Sequence, residues 1–138
     1  MNLEYLWQLP NAFQVNDVVT IKGVLPRGGN RFHINFQTDS SKEEGDVIFH
    51  MSNRYADNQI VFNTREFGKG WQEEETYVNR HFIAGTNFEI RIVCDSKRFK
   101  ITIDEQPLAE YGIRIPTKSI RFMYIYGDAQ LTSISFER

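Results

Sequence analysis

The sequence predicts an all-β fold, an antiparallel sandwich, and three observations support this class. Aromatic residues make up 14% of the 138 residues. Short β-branched stretches alternate apolar and polar side chains with a period of two, the pattern of half-buried antiparallel strands. Turn-forming residues separate these stretches at intervals of roughly 8–12 residues, which is typical of sandwiches and barrels. No long apolar stripe with the 3.6-residue period of a helix is present.

Eight segments follow the strand pattern in chain order. In the second of them Phe32, Ile34 and Phe36 share one face and polar side chains share the other. Between the segments lie clusters of Gly, Asn, Asp, Ser and Pro, the residues that favour turns. The predicted strands are Val18–Lys22, Arg31–Gln37, Val47–Ser52, Gln59–Thr64, Phe88–Cys94, Arg98–Asp104, Ser119–Tyr126 and Leu131–Phe136.

Length and charge limit the classes of protein and partner. A chain of 138 residues is close to the common size of one domain, so we expect a single domain over 1–138. Sixteen basic and eighteen acidic residues are scattered along it, which argues against a nucleic-acid partner. No stretch approaches the roughly 20 apolar residues of a membrane span, so we expect no membrane insertion.

Cysteine usage and the first residues bear on the compartment. Cys94 is the single cysteine, which excludes an internal disulfide and a cysteine-based zinc site. The opening Met1–Tyr5 has no basic region and carries an early acid, unlike a signal peptide. We therefore expect a cytoplasmic protein.

Successive side chains of a strand point to opposite faces of the sheet, and this alternation (strand parity) places a mixed set of polar side chains on one face. His50, Ser52 and Arg54 alternate outward along one predicted strand, and Asn63 does so on the next. A glycine-flanked Trp71 and an acidic run containing Glu74 follow. Sugars need this mixture, because planar donors and acceptors bind hydroxyls and a flat ring packs on the apolar C–H face. The same pattern also fits an ordinary solvated strand face, so parity alone leaves both interpretations open.

Other chemistry is less well supported. The run Glu73–Glu75 could suggest a glycosidase, but adjacent carboxylates on a strand do not face each other across a cleft, so we predict no enzyme. Cys94 lies among aliphatic residues and is expected to be a buried core residue. His33 and His81 are isolated and receive no role. No two histidines have ligand-like spacing, so we predict neither a metal site nor a cofactor.

Over nearly its whole length the chain resembles the galectins. The resemblance is carried by Leu9–Pro10 with Val19–Val24, by Arg31–Gln37 and by Tyr126–Ile134. The sugar-site signature of that family is H-x-N-x-R, then an Asn on the next strand, then W-x-x-E-x-R. The matching positions are His50, Arg54, Asn63, Trp71 and Glu74.

The resemblance implies a jelly-roll sandwich that binds β-galactoside-containing glycans without catalysis. His50 and Arg54 would bind the axial 4-hydroxyl of galactose, Asn63 and Glu74 the 6-hydroxyl, and Trp71 the apolar face of the ring. Glu74 with Arg54 would reach the neighbouring sugar. If His50 acts as a neutral ring, binding is expected to weaken as the pH falls through about 6.5.

Two signature positions depart from the family. Ser52 stands where the family has Asn, and Thr76 stands where it has the last Arg. Ser52 is shorter, so a water would have to bridge to the 4-hydroxyl, and Thr76 supplies no guanidinium. Weak binding, an altered disaccharide preference and loss of binding in favour of a protein-interaction role all stay open. The resemblance further implies that such domains work as homodimers or as tandem repeats, and that the protein is exported by an unconventional route.

Overall fold

A computed structural model of the chain describes residues 3–11, 13–41 and 43–138. Across these residues the structure is almost entirely β, with two single-turn 3₁₀ segments at Tyr55–Asp57 and Thr117–Ser119. The strands are β1 Leu3–Gln8, β2 Val18–Val24, β3 Phe32–Gln37, β4 Val47–Arg54, β5 Gln59–Glu66, β6 Gly70–Trp71, β7 Glu75–Val78, β8 Asn87–Cys94, β9 Arg98–Ile103, β10 Gln106–Gly112, β11 Phe122–Gly127 and β12 Gln130–Glu137.

The described strands form two antiparallel sheets. The larger sheet has the order β1-β11-β3-β4-β5-β6, with β7 also paired to β5, and the smaller has the order β10-β9-β8-β2-β12. The two sheets enclose one continuous cluster of buried apolar side chains. The predicted all-β sandwich is confirmed.

Each of the eight predicted strands is present, and four further strands were not predicted. The seventh prediction began too early, because 117–119 form a 3₁₀ turn and β11 starts at Phe122. The missed strands β1, β6, β7 and β10 lie at or near the sheet edges, and most of their side chains are exposed or half-buried. A strand with little burial has no clean alternation for a sequence pattern to show.

Aromatic packing makes the larger sheet a rigid support. Phe49 on β4 lies with its ring centroid 5.1 Å from Phe36 and 4.8 Å from Phe99, which belongs to the opposite sheet. All three are fully buried. Removing one such ring costs about 3–5 kcal/mol, because a cavity replaces the lost contacts. The strands that carry the outward polar residues are therefore held from behind.

Cys94 lies in the same core, as the sequence predicts. Its side chain is fully buried, and burial raises the pKa of the thiol to about 11. A thiol held in its protonated form is a poor nucleophile. Among the described residues no helix is long or apolar enough to cross a bilayer.

Candidate functional site

The pairing of β4 with β5 brings the predicted polar residues together. Its register places His50 opposite Asn63 and Ser52 opposite Val61. Phe49 and Met51 point into the core, so His50, Ser52 and Arg54 project from the outer face, as parity predicts. These side chains line an open cavity of about 440 Å³, whose walls are His33, His50, Ser52, Arg54, Asn63, Trp71, Gln72, Glu74 and Tyr126.

Six of the seven candidate residues are in this wall, and Thr76 is not. Thr76 lies exposed on β7 opposite Val61. His33, Gln72 and Tyr126 also line the cavity, although no sequence pattern predicted them as site residues. A larger groove of about 580 Å³ lies around 95–97 and 113–118 and contains none of the candidate residues.

A chain of amide hydrogen bonds fixes the imidazole of His50. The backbone carbonyl of Asp39 accepts a hydrogen bond from Nε2 of Gln37 at 2.8 Å, which leaves Oε1 of Gln37 to accept from Nδ2 of Asn35 at 3.3 Å. Oδ1 of Asn35 then faces Nδ1 of His50 at 2.6 Å. Because this oxygen only accepts, Nδ1 of His50 carries the proton. Nε2 of His50 is therefore the hydrogen-bond acceptor of the ring.

The surroundings of His50 keep it neutral. Burial, together with the nearby His33, Arg54 and Arg65, lowers its pKa to about 3. A ring with this pKa does not gain a proton as the pH falls from 7 to 5. The expectation that His50 titrates near pH 6.5 is therefore wrong. Strand parity could not show that this outward side chain has only 8% of its surface exposed.

Arg54 lies between Ser52 and Glu74. Its Nε donates to Oγ of Ser52 at 3.0 Å, and its Nη2 lies 3.7 Å from a carboxylate oxygen of Glu74. Arg54 and Glu74 thus form an ion pair at the cavity. An ion pair with a half-exposed carboxylate contributes little to stability, about 0–1 kcal/mol. Its effect here is to fix the guanidinium at the cavity, where the remaining N–H groups can donate to a ligand.

The amide of Asn63 has a fixed orientation. Nδ2 donates to the backbone carbonyl of Gln72 at 3.0 Å, and Oδ1 accepts from the backbone N–H of Thr64 at 2.8 Å. Arg114, which follows β10, also reaches Oδ1 at 3.4 Å and forms an ion pair with Glu75 at 3.2 Å. One N–H of Asn63 stays available for a ligand. Arg114 is 51 residues from Asn63 in sequence, and no motif signals this contact.

Trp71 forms an exposed wall of the cavity. Its side chain is 46% exposed, and its ring centroid lies 4.6 Å from that of His50. The guanidinium of Arg65 lies 5.5 Å from the indole on the neighbouring strand. The other tryptophan, Trp7, packs edge-on against Phe136. An exposed indole beside fixed polar groups can pack on the apolar face of a ligand while those groups bind its hydroxyls.

Metal and acid–base chemistry find little support in the geometry. No three His, Cys, Asp or Glu side chains in residues 3–11, 13–41 and 43–138 are placed to share a metal ion. Glu74 and Glu75 are paired with Arg54 and Arg114, respectively. Both carboxylates are thus already engaged by arginine side chains.

Comparison with known proteins identifies the family. Residues 4–136 match the family described as galactoside-binding lectin. The chain is a galectin. It is 32% identical to rat galectin-7, with 91% of each chain covered, and 33% identical to human galectin-4, with 97% of this chain covered. It spans only 41% of the length of human and rat galectin-4.

Solved galectin structures share the fold. Sheep galectin-11 in complex with glycerol superposes with a TM-score of 0.87 at 24% identity, and 96% of each chain is covered. A variant of human galectin-16 also gives 0.87, at 23% identity, with 96% of this chain and 94% of the other covered. Galectins are non-catalytic lectins, so family membership supports a lectin role for this chain at the level of the family and confirms the prediction that it is not an enzyme.

Proposed function

We propose that this galectin, as a single carbohydrate-recognition domain over 1–138, binds β-galactoside-containing glycans in the cavity on β4, β5 and β6. The observation that carries the proposal is the fixed neutral His50, whose acceptor nitrogen lies beside Arg54 and the exposed Trp71. An acceptor, a charged donor and an aromatic plane together suit the face of a sugar that combines hydroxyls with C–H groups.

His50 and Arg54 bind the axial 4-hydroxyl. A hydroxyl both donates and accepts, so it can donate to Nε2 of His50 and accept from the guanidinium of Arg54. Both groups are oriented before the ligand arrives, by Asn35 and by Ser52 with Glu74. Preorganised groups lose little conformational entropy on binding, which favours affinity.

Asn63 and Glu74 bind the 6-hydroxyl, and Trp71 packs on the apolar face of the sugar. The free N–H of Asn63 donates, and the half-exposed carboxylate of Glu74 accepts. Glu74 and Arg54 also face the second sugar of a disaccharide. Binding in this way requires no metal and no cofactor, because side chains supply the partners of the 4-hydroxyl and the 6-hydroxyl.

A second candidate function is a galectin-like module that binds protein and no longer binds galactosides. Two observations favour it. The hydroxyl of Ser52 already accepts a hydrogen bond from Arg54, and Thr76 lies outside the cavity wall. Retention on immobilised lactose with elution by free lactose separates the two functions, because the interaction module would pass through the column.

We also propose that two copies associate as a homodimer, since cross-linking glycans requires two cavities. The edge strand β1 supports this, with Tyr5 and Leu6 36% and 44% exposed. Sedimentation velocity tests the association.

The free buried thiol of Cys94 fits residence in a reducing cytoplasm, from which we propose unconventional export. Fractionation of cells and medium tests the location.

Trp71→Ala is the direct test of the sugar site. Since nearly half of the Trp71 side chain is exposed and it lies at the sheet edge, its removal leaves the fold intact but abolishes retention on immobilised lactose. Trp7→Phe, which removes the other tryptophan, is the matched control and retains lactose binding. In that control, lactose changes the emission of the remaining Trp71. A folded Trp71→Ala protein that is retained like the unmodified chain would overturn the proposal.

A further inference from the structure

His33 lies in the cavity wall although no signature position includes it. It is on β3, opposite Ser52 in the β3–β4 register. Its ring stacks on that of His50, with centroids 5.5 Å apart and planes at 15°, and on that of Tyr126 at 4.6 Å. The stacking holds the ring in place beside the short side chain of Ser52.

The two nitrogens of His33 are in different surroundings. Nδ1 is buried and has no hydrogen-bond partner among the described residues, so the accessible edge of this half-buried ring is on the Nε2 side. A buried N–H without an acceptor is rarer in proteins than a buried lone pair without a donor. The favoured tautomer therefore has its proton on Nε2, and His33 presents a donor where its neighbour His50 presents an acceptor.

The order of the strands in the sheet indicates which hydroxyl of the sugar faces His33. Asn63 is on β5, His50 and Ser52 are on β4, and His33 is on β3, in that order across the sheet. In the proposed function the first two strands bind the 6-hydroxyl and the 4-hydroxyl. Carbons 6, 5, 4 and 3 are consecutive in galactose, so the next strand, β3, lies at the 3-hydroxyl.

We infer that His33 is a specificity-determining residue, whose Nε2–H donates to the 3-hydroxyl of the bound galactose and compensates for the short side chain of Ser52. The inference rests on the proposed function and extends it. It implies that the site discriminates against galactosides that lack a 3-hydroxyl. A single neutral hydrogen bond of this kind corresponds to a change of about three- to tenfold in affinity.

The tautomer can be tested without any ligand. Nitrogen-15 NMR of the free protein at neutral pH distinguishes a protonated from an unprotonated ring nitrogen. We expect His33 with its proton on Nε2 and His50 with its proton on Nδ1. A His33 ring protonated on Nδ1 would overturn the donor assignment, whatever the protein binds.

Binding tests the role in specificity. Lactose and 3′-deoxylactose are titrated into the unmodified protein, His33→Phe and His33→Gln. Phe keeps the aromatic contacts with Tyr126 and His50 but has no donor, whereas the amide nitrogen of Gln can stand in for Nε2. We expect the unmodified chain and His33→Gln to prefer lactose about three- to tenfold, and His33→Phe to bind both sugars equally.

The controls separate this inference from the proposed function. With 6′-deoxylactose, all three proteins lose affinity to the same extent, because Asn63 and not His33 binds that hydroxyl. If the unmodified protein binds lactose but His33→Phe still prefers it over 3′-deoxylactose to the same degree, the role of His33 is overturned and the proposed function stands. If the unmodified protein binds no galactoside, both are overturned.

Discussion

Oδ1 of Asn35 lies 2.6 Å from Nδ1 of His50, and this contact determines which nitrogen of the imidazole faces the cavity. Asn35 is itself oriented by Gln37, whose amide is held by the backbone of Asp39. Both amide side chains are buried. Two residues outside the sugar signature thus prepare His50 to accept a hydrogen bond.

Asn35→Asp should make ligand binding sensitive to acid. A carboxylate in hydrogen-bond contact favours the charged imidazolium and so raises the pKa of His50. The protonated ring loses its acceptor nitrogen, and we expect lactose affinity to fall roughly three- to tenfold between pH 7 and pH 5. The unmodified protein, in which the pKa of His50 is about 3, should keep constant affinity over this range. Calorimetric titration of both proteins with lactose at pH 7 and pH 5 checks this prediction. The same pH dependence of affinity in the two proteins would contradict the role given to Asn35.

Acid should destabilise the fold through His33 and His50. Burial lowers their pKa values to about 4 and about 3, so both rings are neutral in the folded chain and gain protons on unfolding below about pH 6.5. Their contribution to stability is therefore complete above pH 6.5 and lost as the pH falls towards 4. Each histidine contributes at most about 1.4 kcal/mol per pH unit to the slope of the free energy of unfolding against pH.

Urea unfolding between pH 7 and pH 4 measures this slope. We expect the free energy of unfolding of His33→Phe to depend less steeply on pH than that of the unmodified chain. The unmodified chain, unfolded in parallel at each pH, is the reference. A His33→Phe slope identical to the original would show that His33 is not held neutral by the fold.

Asn53→Leu should stabilise the domain. Asn53 shares the inward face of β4 with Met51, is fully buried, and has no hydrogen-bond partner for either side-chain atom among the described residues. Burying an unpaired amide costs about 1–3 kcal/mol, and leucine has a similar shape without the polar atoms. We expect the free energy of unfolding to rise by about 1–2 kcal/mol. Asn53→Gln, which keeps the amide, is the control, and a loss of stability in Asn53→Leu would reveal a hidden partner.

Most of the site follows from strand parity, and its remainder depends on contacts between distant segments. The alternation along 47–54 and 59–64 predicts that His50, Arg54 and Asn63 lie side by side, and the register of β4 with β5 places them so. The same alternation along 31–37 puts His33 on the polar face, so parity contains a signal for this residue as well. Arg114 has no such signal, because its loop reaches Asn63 only after the two sheets pack. The missed edge strands had too little burial to produce a pattern.

Replacing Ser52 and Thr76, the two residues that differ from the family signature, should increase affinity for lactose. Thr76→Arg places a guanidinium on the exposed strand β7, near Glu74 and the second sugar, and a charged hydrogen bond corresponds to a gain of about tenfold. Ser52→Asn should add less, because its amide competes with Arg54 and His33 for the same space. The two single variants and the double variant are compared by calorimetry, since the effects of neighbouring substitutions on affinity need not add. A folded double variant that binds no better would favour the protein-interaction function.

Recognition of the axial 4-hydroxyl of galactose is the defining contact of the proposed function. Lactose and cellobiose differ only in the orientation of that hydroxyl on the non-reducing sugar, so comparing them isolates the contact with His50 and Arg54. We would titrate each into the nitrogen-15-labelled protein and follow the side-chain resonances of Trp71 and Arg54 by NMR. We expect saturable shifts at the cavity with lactose and none with cellobiose. Equal responses to the two sugars, or no response to lactose, would contradict it.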